Sequence, residues 1–193
     1  LSNFKSGNKM KKIRAKTKDV AFKYRMGAGY PGDVTRTHPV DIYPELADAT
    51  TPPDLAGQAV MVDATSHRIR KVTNAAEGVT GSISLYGITV RTFPFQQATT
   101  STNFGAVAIG GGPLPVSGEV DVLRRGGILV SVPAGQTPVK GGTVYIWNVA
   151  TSGAHIQGGF EAVDGTTNTI DVANAVWNSG VDANGVAELI FNN

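Results

Sequence analysis

From Gln58 to the C-terminus, apolar and polar residues alternate in short runs, each ending at glycine, proline, asparagine or aspartate. Ala59 to Asp63 (AVMVD) and His67 to Val72 (HRIRKV) flank a short turn and predict a hairpin. Ile83 to Phe93 (ISLYGITVRTF) alternates around Gly87, which suits a bulge. Gly118 to Val132 (GEVDVLRRGGILVSV) predicts two strands around a turn at Arg124 to Gly127. Gly142 to Val149 (GTVYIWNV) is β-branched and aromatic, as strands favour. GFEAV, NTIDV and VAELIF follow, punctuated by Asp164-Gly165 and Asn184-Gly185, pairs that favour tight hairpin turns. Helical periodicity is confined to a turn or two near Ala47 and near Ala173 to Trp177. Short strands at this spacing predict an all-β fold, a compact barrel or sandwich of antiparallel strands.

The pattern divides the chain. Residues 58–193 read as the β body, with a long Thr-, Gly- and Pro-rich excursion at about 96–117. Loops of that length commonly make contacts, and Phe104 and Leu114 are its large apolar candidates. Residues 1–57 read as an extended N-terminal arm. Its second part carries Phe22, Tyr24, Met26 and Tyr30 and then Pro31, Pro39, Pro44, Pro52 and Pro53. Prolines at that density exclude a long helix, and the aromatics predict a path along a surface, either its own body or a neighbour's.

Charge sharpens the division. The first 25 residues hold nine Lys or Arg against Asp19 alone, a net +8, whereas the other 168 residues carry −6. Six of those cations, Lys9, Lys11, Lys12, Arg14, Lys16 and Lys18, fall in one cluster. They suit phosphates, an acidic protein surface, or a solvated tail. No aromatic interleaves them, so a single-strand stacking platform is not expected, nor is direct nucleic-acid binding. The chain has no cysteine, which excludes disulfides, thiolate metal sites and cysteine nucleophiles. No apolar run approaches the ~18 residues of a membrane-spanning helix, and no membrane partner is expected.

Candidate chemistry is sparse. Gly27, Gly29 and Gly32 have the G-x-G-x-x-G spacing of dinucleotide sites. That motif needs a buried strand before it and a helix after it, so that pyrophosphate meets the helix N-terminus. Here Phe22-Lys23-Tyr24-Arg25-Met26 alternates charge, Pro31 removes a donor inside the motif, and no helical period follows. The glycines read better as turns. Gly110 to Gly112 and Lys140 to Thr143 lack the Lys-Ser/Thr that completes a P-loop. His38, His67 and His155 show no ligand spacing. Glu119 and Asp121 share one strand face, where a solvated pair is the ordinary reading, and Glu161 is the other weak candidate for hydrolysis. No G-x-S-x-G is present. No catalytic residue, metal, cofactor or small-molecule substrate is expected.

AFKYRMGAGYPGDVTRTHP near the start, then YGITVRTFP, GEVDVLRRGGILVSV, KGGTVYIW and DANGVAELIFN, together resemble the tailed-bacteriophage capsid cement (head decoration) proteins. The resemblance covers about Ala21 to Asn193, and residues 1–19 depart from it. It implies a virion structural protein, bound outside the major capsid protein shell and clamping neighbouring subunits against internal DNA pressure. It also implies assembly in the host cytoplasm and a homo-oligomer, with a trimer preferred over a dimer. On this reading Phe22, Tyr24, Arg25, Met26 and Tyr30 anchor the arm on the major capsid protein or a sister copy, and Gly27, Gly29 and Pro31 let it turn closely. The alternative is a carbohydrate-binding β-domain, which needs an exposed aromatic platform; Trp147 and Trp177 are the only tryptophans.

Overall fold

The computed structural model describes residues 28–35, 39–73, 85–91 and 118–193. These form nine strands and no helix. The strands are β1 (Asp41–Leu46), β2 (Ala59–Val62), β3 (Ile69–Lys71), β4 (Gly87–Thr89), β5 (Glu119–Ser131), β6 (Thr143–Trp147), β7 (Phe160–Glu161), β8 (Thr169–Trp177) and β9 (Val186–Asn192). The fold is all-β, one curled antiparallel sheet in the order β3-β2-β4-β5-β9-β8-β6-β7, with β1 paired to β5 off that path.

The predicted hairpin over Ala59 to Val72 is β2 and β3, closed by an Asp63 turn. Asp63 accepts from the backbone amides of Thr65 and Ser66, and those bonds hold its carboxyl below its usual value. The Asn184-Gly185 turn leads into β9 as its sequence predicts. Three predicted features differ. Gly118 to Val132 is not a hairpin: β5 is a single 13-residue strand. Its glycines do not reverse the chain, because β9 stays in register from Asn192 opposite Arg125 to Val186 opposite Ser131. A bulge instead falls near Arg124, where the β1 pairing steps from Asp41↔Arg125 to Ile42↔Leu123. Ala173 to Trp177 is not helical but belongs to β8. The β6–β8 register shifts there, and the Asn174 side chain both accepts from the amide of Leu85 and donates to its carbonyl. Near Ala47 the chain makes an Asp48-centred turn rather than a helix.

Two apolar clusters hold the sheet. The larger gathers Leu123, Ile128, Val130, Val144, Ile146, Phe160, Trp177, Leu189 and Phe191. Alternation along β9 explains its membership: Ala187, Leu189 and Phe191 face inward, while Glu188 and Ile190 are only partly covered. The smaller joins Ala47, Val60, Ile69, Val120 and Val122 under Tyr86. It exists because the sheet curls back on itself: Ala47 forms a parallel bridge to Ile69, bringing the end of β1 to β3. Strands β1, β5, β4, β2 and β3 thus surround the smaller cluster.

Candidate interaction surface

The described part of the proline-rich segment lies along its own body. Tyr30 to Thr35 runs antiparallel to the second half of β5: the Gly32 amide donates to the Leu129 carbonyl (2.7 Å), the Leu129 amide to the Asp33 carbonyl (2.9 Å), and the Thr35 amide to the Gly127 carbonyl (3.0 Å). This is the β4 side of β5, since the Arg91 amide donates to the Gly32 carbonyl. Asp41–Leu46 then pairs on the opposite side, the side β9 occupies farther along. Between the two, Pro39 and Val40 stand over Gly126, whose φ is +139°. A Cβ there would lie 3.2 Å from Val40 Cγ2 and 3.3 Å from the Pro39 carbonyl oxygen, so the missing side chain is what lets the chain cross β5.

Of the sequence-predicted contact residues, Gly29, Tyr30 and Pro31 are described. Gly29 covers Leu129: a Cβ on it would come within 2.7 Å of Leu129 Cδ1. Leu129 lies between the inward-facing Ile128 and Val130, and is itself only 2% exposed. Pro31 and Gly32 make a turn in which the Asp33 amide donates to the Tyr30 carbonyl. Asp33 accepts from the Tyr30 amide at 2.9 Å and from Arg91 Nε at 2.7 Å. The Arg91 guanidinium also lies 5.0 Å from the Tyr30 ring centre, leaving that ring half exposed. Phe22, Tyr24, Arg25, Met26, Gly27, the Lys9 to Lys18 cluster, Phe104 and Leu114 lie outside the described residues.

β1 carries a surface that its sequence, DIYPEL, did not announce. Ile42, Tyr43 and Leu46 are 40%, 53% and 55% exposed, and no residue of the strand is fully buried. Cross-strand register puts Ile42, Pro44 and Leu46 on one face beside Leu123, Asp121 and Glu119. The signal that could have found it is Pro44, because proline within a strand marks an edge. On the other face the Tyr86 hydroxyl bonds Glu45, and Arg124 stacks 3.9 Å from the Tyr86 ring centre. Burial and the adjacent Glu45 carboxylate raise the Tyr86 phenol above its ordinary value, against the opposing pull of Arg124.

The residues weighed for catalysis do not converge. Glu119 projects to solvent, and Asp121 is partly covered in the same strand. Glu161 is 1% exposed and already engaged: Oε1 lies 2.9 Å from His155 Nδ1, and Oε2 accepts from Gln136 Nε2. His155 in turn stacks on Trp147 with ring centres 4.3 Å apart. The network ties the loop before β7 to the core. Trp147 and Trp177 are both buried, so neither offers a flat platform to a sugar.

Comparison with known proteins adds the decisive observation. Residues 20–191 match the XM1 gp53 minor capsid protein family. The chain belongs to that family. The match starts at Val20, one residue before the stretch from about Ala21 that carries the capsid-protein resemblance. Among solved structures, a chain from "The capsid of Myoviridae Phage XM1" shares the fold, with a TM-score of 0.62 at 21% identity, covering 88% of this chain and 93% of that one. No curated protein matches. Membership of a phage minor capsid protein family gives this XM1 gp53 relative a structural role in the virion.

Proposed function

We propose that this minor capsid protein is a cement protein: it binds the outside of the major capsid protein shell and clamps neighbouring subunits against the pressure of packaged DNA. The observation that carries this reading is the strap formed by residues 28–35 and 39–46. It is bonded along one side of β5, crosses at Gly126 and pairs along the other, so anything gripped by the residues before Ala28 is coupled to the longest strand of the sheet. Phe22, Tyr24, Arg25 and Met26 are the anchors of that grip, Gly27 and Gly29 its bends, and Phe104 and Leu114 a second contact. The Lys9 to Lys18 cluster adds attraction to an acidic partner surface. Many copies on one shell make modest affinity per copy sufficient.

The test is decoration of shells assembled from the major capsid protein, imaged by electron microscopy, with wild type and with Phe22, Tyr24 and Met26 all replaced by aspartate. The variant is expected to keep its β-type circular dichroism and to lose shell density. Full occupancy by the variant overturns the reading.

A further inference from the structure

We infer that β1 is the docking site for the Phe22–Met26 segment of a second copy of this chain, so that copies associate by exchanging N-terminal arms. The inference deepens the proposed function, and it rests on that reading for the arm's being a contact element.

The acceptor is an exposed apolar row with an acidic rim. Ile42, Pro44 and Leu46 share a face, rimmed by Glu119 and Asp121 opposite Leu46 and Pro44, while Glu45 turns to the other face and bonds Tyr86. Arg124 and Arg125 lie along the register, where Arg124 is stacked on Tyr86 and Arg125 faces Asp41, and Arg68 and Arg70 flank Ile69 at the Leu46 end, where Arg70 pairs with Asp63. The ligand such a surface suits has apolar side chains alternating with cations. Phe22-Lys23-Tyr24-Arg25-Met26 has that composition, at the end of a stretch of net charge +8. Long basic side chains can lay their stems on the apolar row and turn their heads to the rim carboxylates.

The backbone limits how the segment binds. The Ala47 amide donates to the Gly118 carbonyl, so Glu45 and Tyr43 also turn their backbone groups toward β5. Ile42 and Pro44 therefore turn theirs to an edge that no described strand covers, where Pro44 has no N–H to give, while Leu46 turns toward Ile69 of β3. A proline in that position blocks continued sheet growth. Docking is thus through side chains, which ends at one partner strand and does not propagate.

Reach identifies the donor as another copy. Ala28 is held at the far end of β5, its amide donating to Asp182 (2.9 Å) beside the turn that precedes β9. The row from Ile42 to Leu46 lies opposite Leu123 to Glu119, so from Leu129 its near and far ends are roughly 20 and 33 Å away along the strand. Phe22 is six residues before Ala28 and extends at most about 21 Å. Met26, two residues away, reaches only about 7 Å. A chain's own segment cannot lie along its own β1.

The experiment uses the full chain and two variants, I42K/L46K on the acceptor and F22D/Y24D on the donor, followed by sedimentation velocity at low and high salt. Wild type is expected to associate, less so at high salt. Each variant alone is expected to sediment as a monomer with unchanged circular dichroism. An equimolar mixture is expected to associate again, since one variant retains the arm and the other retains β1. A monomeric wild type, an I42K/L46K variant that associates like wild type, or a mixture that stays monomeric each overturns the inference. Should the double acceptor variant lose its strand signal, Leu46→Gln replaces it and is expected to weaken association at least several-fold. Shell decoration is scored separately: a monomeric wild type that still decorates shells defeats this inference alone, whereas an F22D/Y24D variant that decorates fully defeats only the shell-anchoring reading.

Discussion

The backbone amide of Ala28 donates to Oδ2 of Asp182, 2.9 Å away and 154 residues later in the chain. The same carboxylate accepts from the amides of Asn184 and Val186, so one side chain fixes both the start of the strap and the turn into β9. Asp182→Ala is expected to cost about 1–2 kcal/mol, read as a lower urea midpoint, because three amides lose a charged acceptor at a partly solvated site.

Acid should loosen the same anchor. Partial burial pushes the Asp182 carboxyl up, but the amides of Ala28, Val186 and Asn184 outweigh it and leave the group below its ordinary value of 3.8. The folded state therefore favours the carboxylate. That contribution is complete above pH 3.8 and is lost as pH falls through the lower folded value. Asp48 and Asp63, lowered mainly by backbone amides of their own turns, act in the same direction. Urea midpoints at about pH 6 and about pH 3 are expected to differ less in Asp182→Asn than in wild type.

Gly126 and Gly118 provide a matched pair. Their φ values are +139° and +141°, so alanine is strained at both, by about 1–3 kcal/mol. A Cβ at Gly118 meets nothing within 4 Å, whereas at Gly126 it presses on Val40, Leu123 and the Pro39 carbonyl. Gly126→Ala is expected to be the more destabilising by about 1 kcal/mol or more. Equal midpoints for the two variants would show that the crossing does not depend on the absent side chain.

Glu161 tests the buried polar network. Replacing it with alanine removes the acceptor for Gln136 and the partner of His155, and it opens space beside Phe160. A loss of about 2–4 kcal/mol is expected. Glu161→Gln keeps the volume and one acceptor oxygen, and is expected to lose less. The comparison is read from thermal unfolding followed by tryptophan fluorescence, since Trp147 stacks on His155.

Alternation and turn chemistry made most of the strands legible. GTVYIWNV and VAELIF carry alternation with a buried face, AVMVD is a short apolar run, and each is a strand in the structure. The errors share one cause, which is burial decided by distant chain. Arg124 to Gly127 has the composition of a turn, yet those residues continue one strand because β9 runs beside them and the strap crosses over Gly126. Ala173 to Trp177 reads as weakly helical, but its place next to β6 and β9 makes it strand. The candidate site was less legible. DIYPEL alternates Ile42, Pro44 and Leu46 with Asp41, Tyr43 and Glu45, but that this row is exposed follows from a position that only the tertiary register reveals. The glycines of GAGYPG were readable as bends rather than a cofactor cradle, because Pro31 and the missing helix argued so locally. That the bend covers Leu129 was not readable, since 98 residues separate Pro31 from that side chain.

The strap's route across β5 has a mechanical consequence. A pull on Ala28 along the axis of β5 loads the hydrogen bonds from Gly32 to Thr35 in shear, all together, rather than peeling them one at a time. Slack released there would next meet the chain where it passes over Gly126, and beyond that the six paired residues of β1 on the opposite side. The tension path therefore turns around the strand like a rope around a post, and force applied at the N-terminal end is spread over the sheet's longest strand before any core side chain is disturbed.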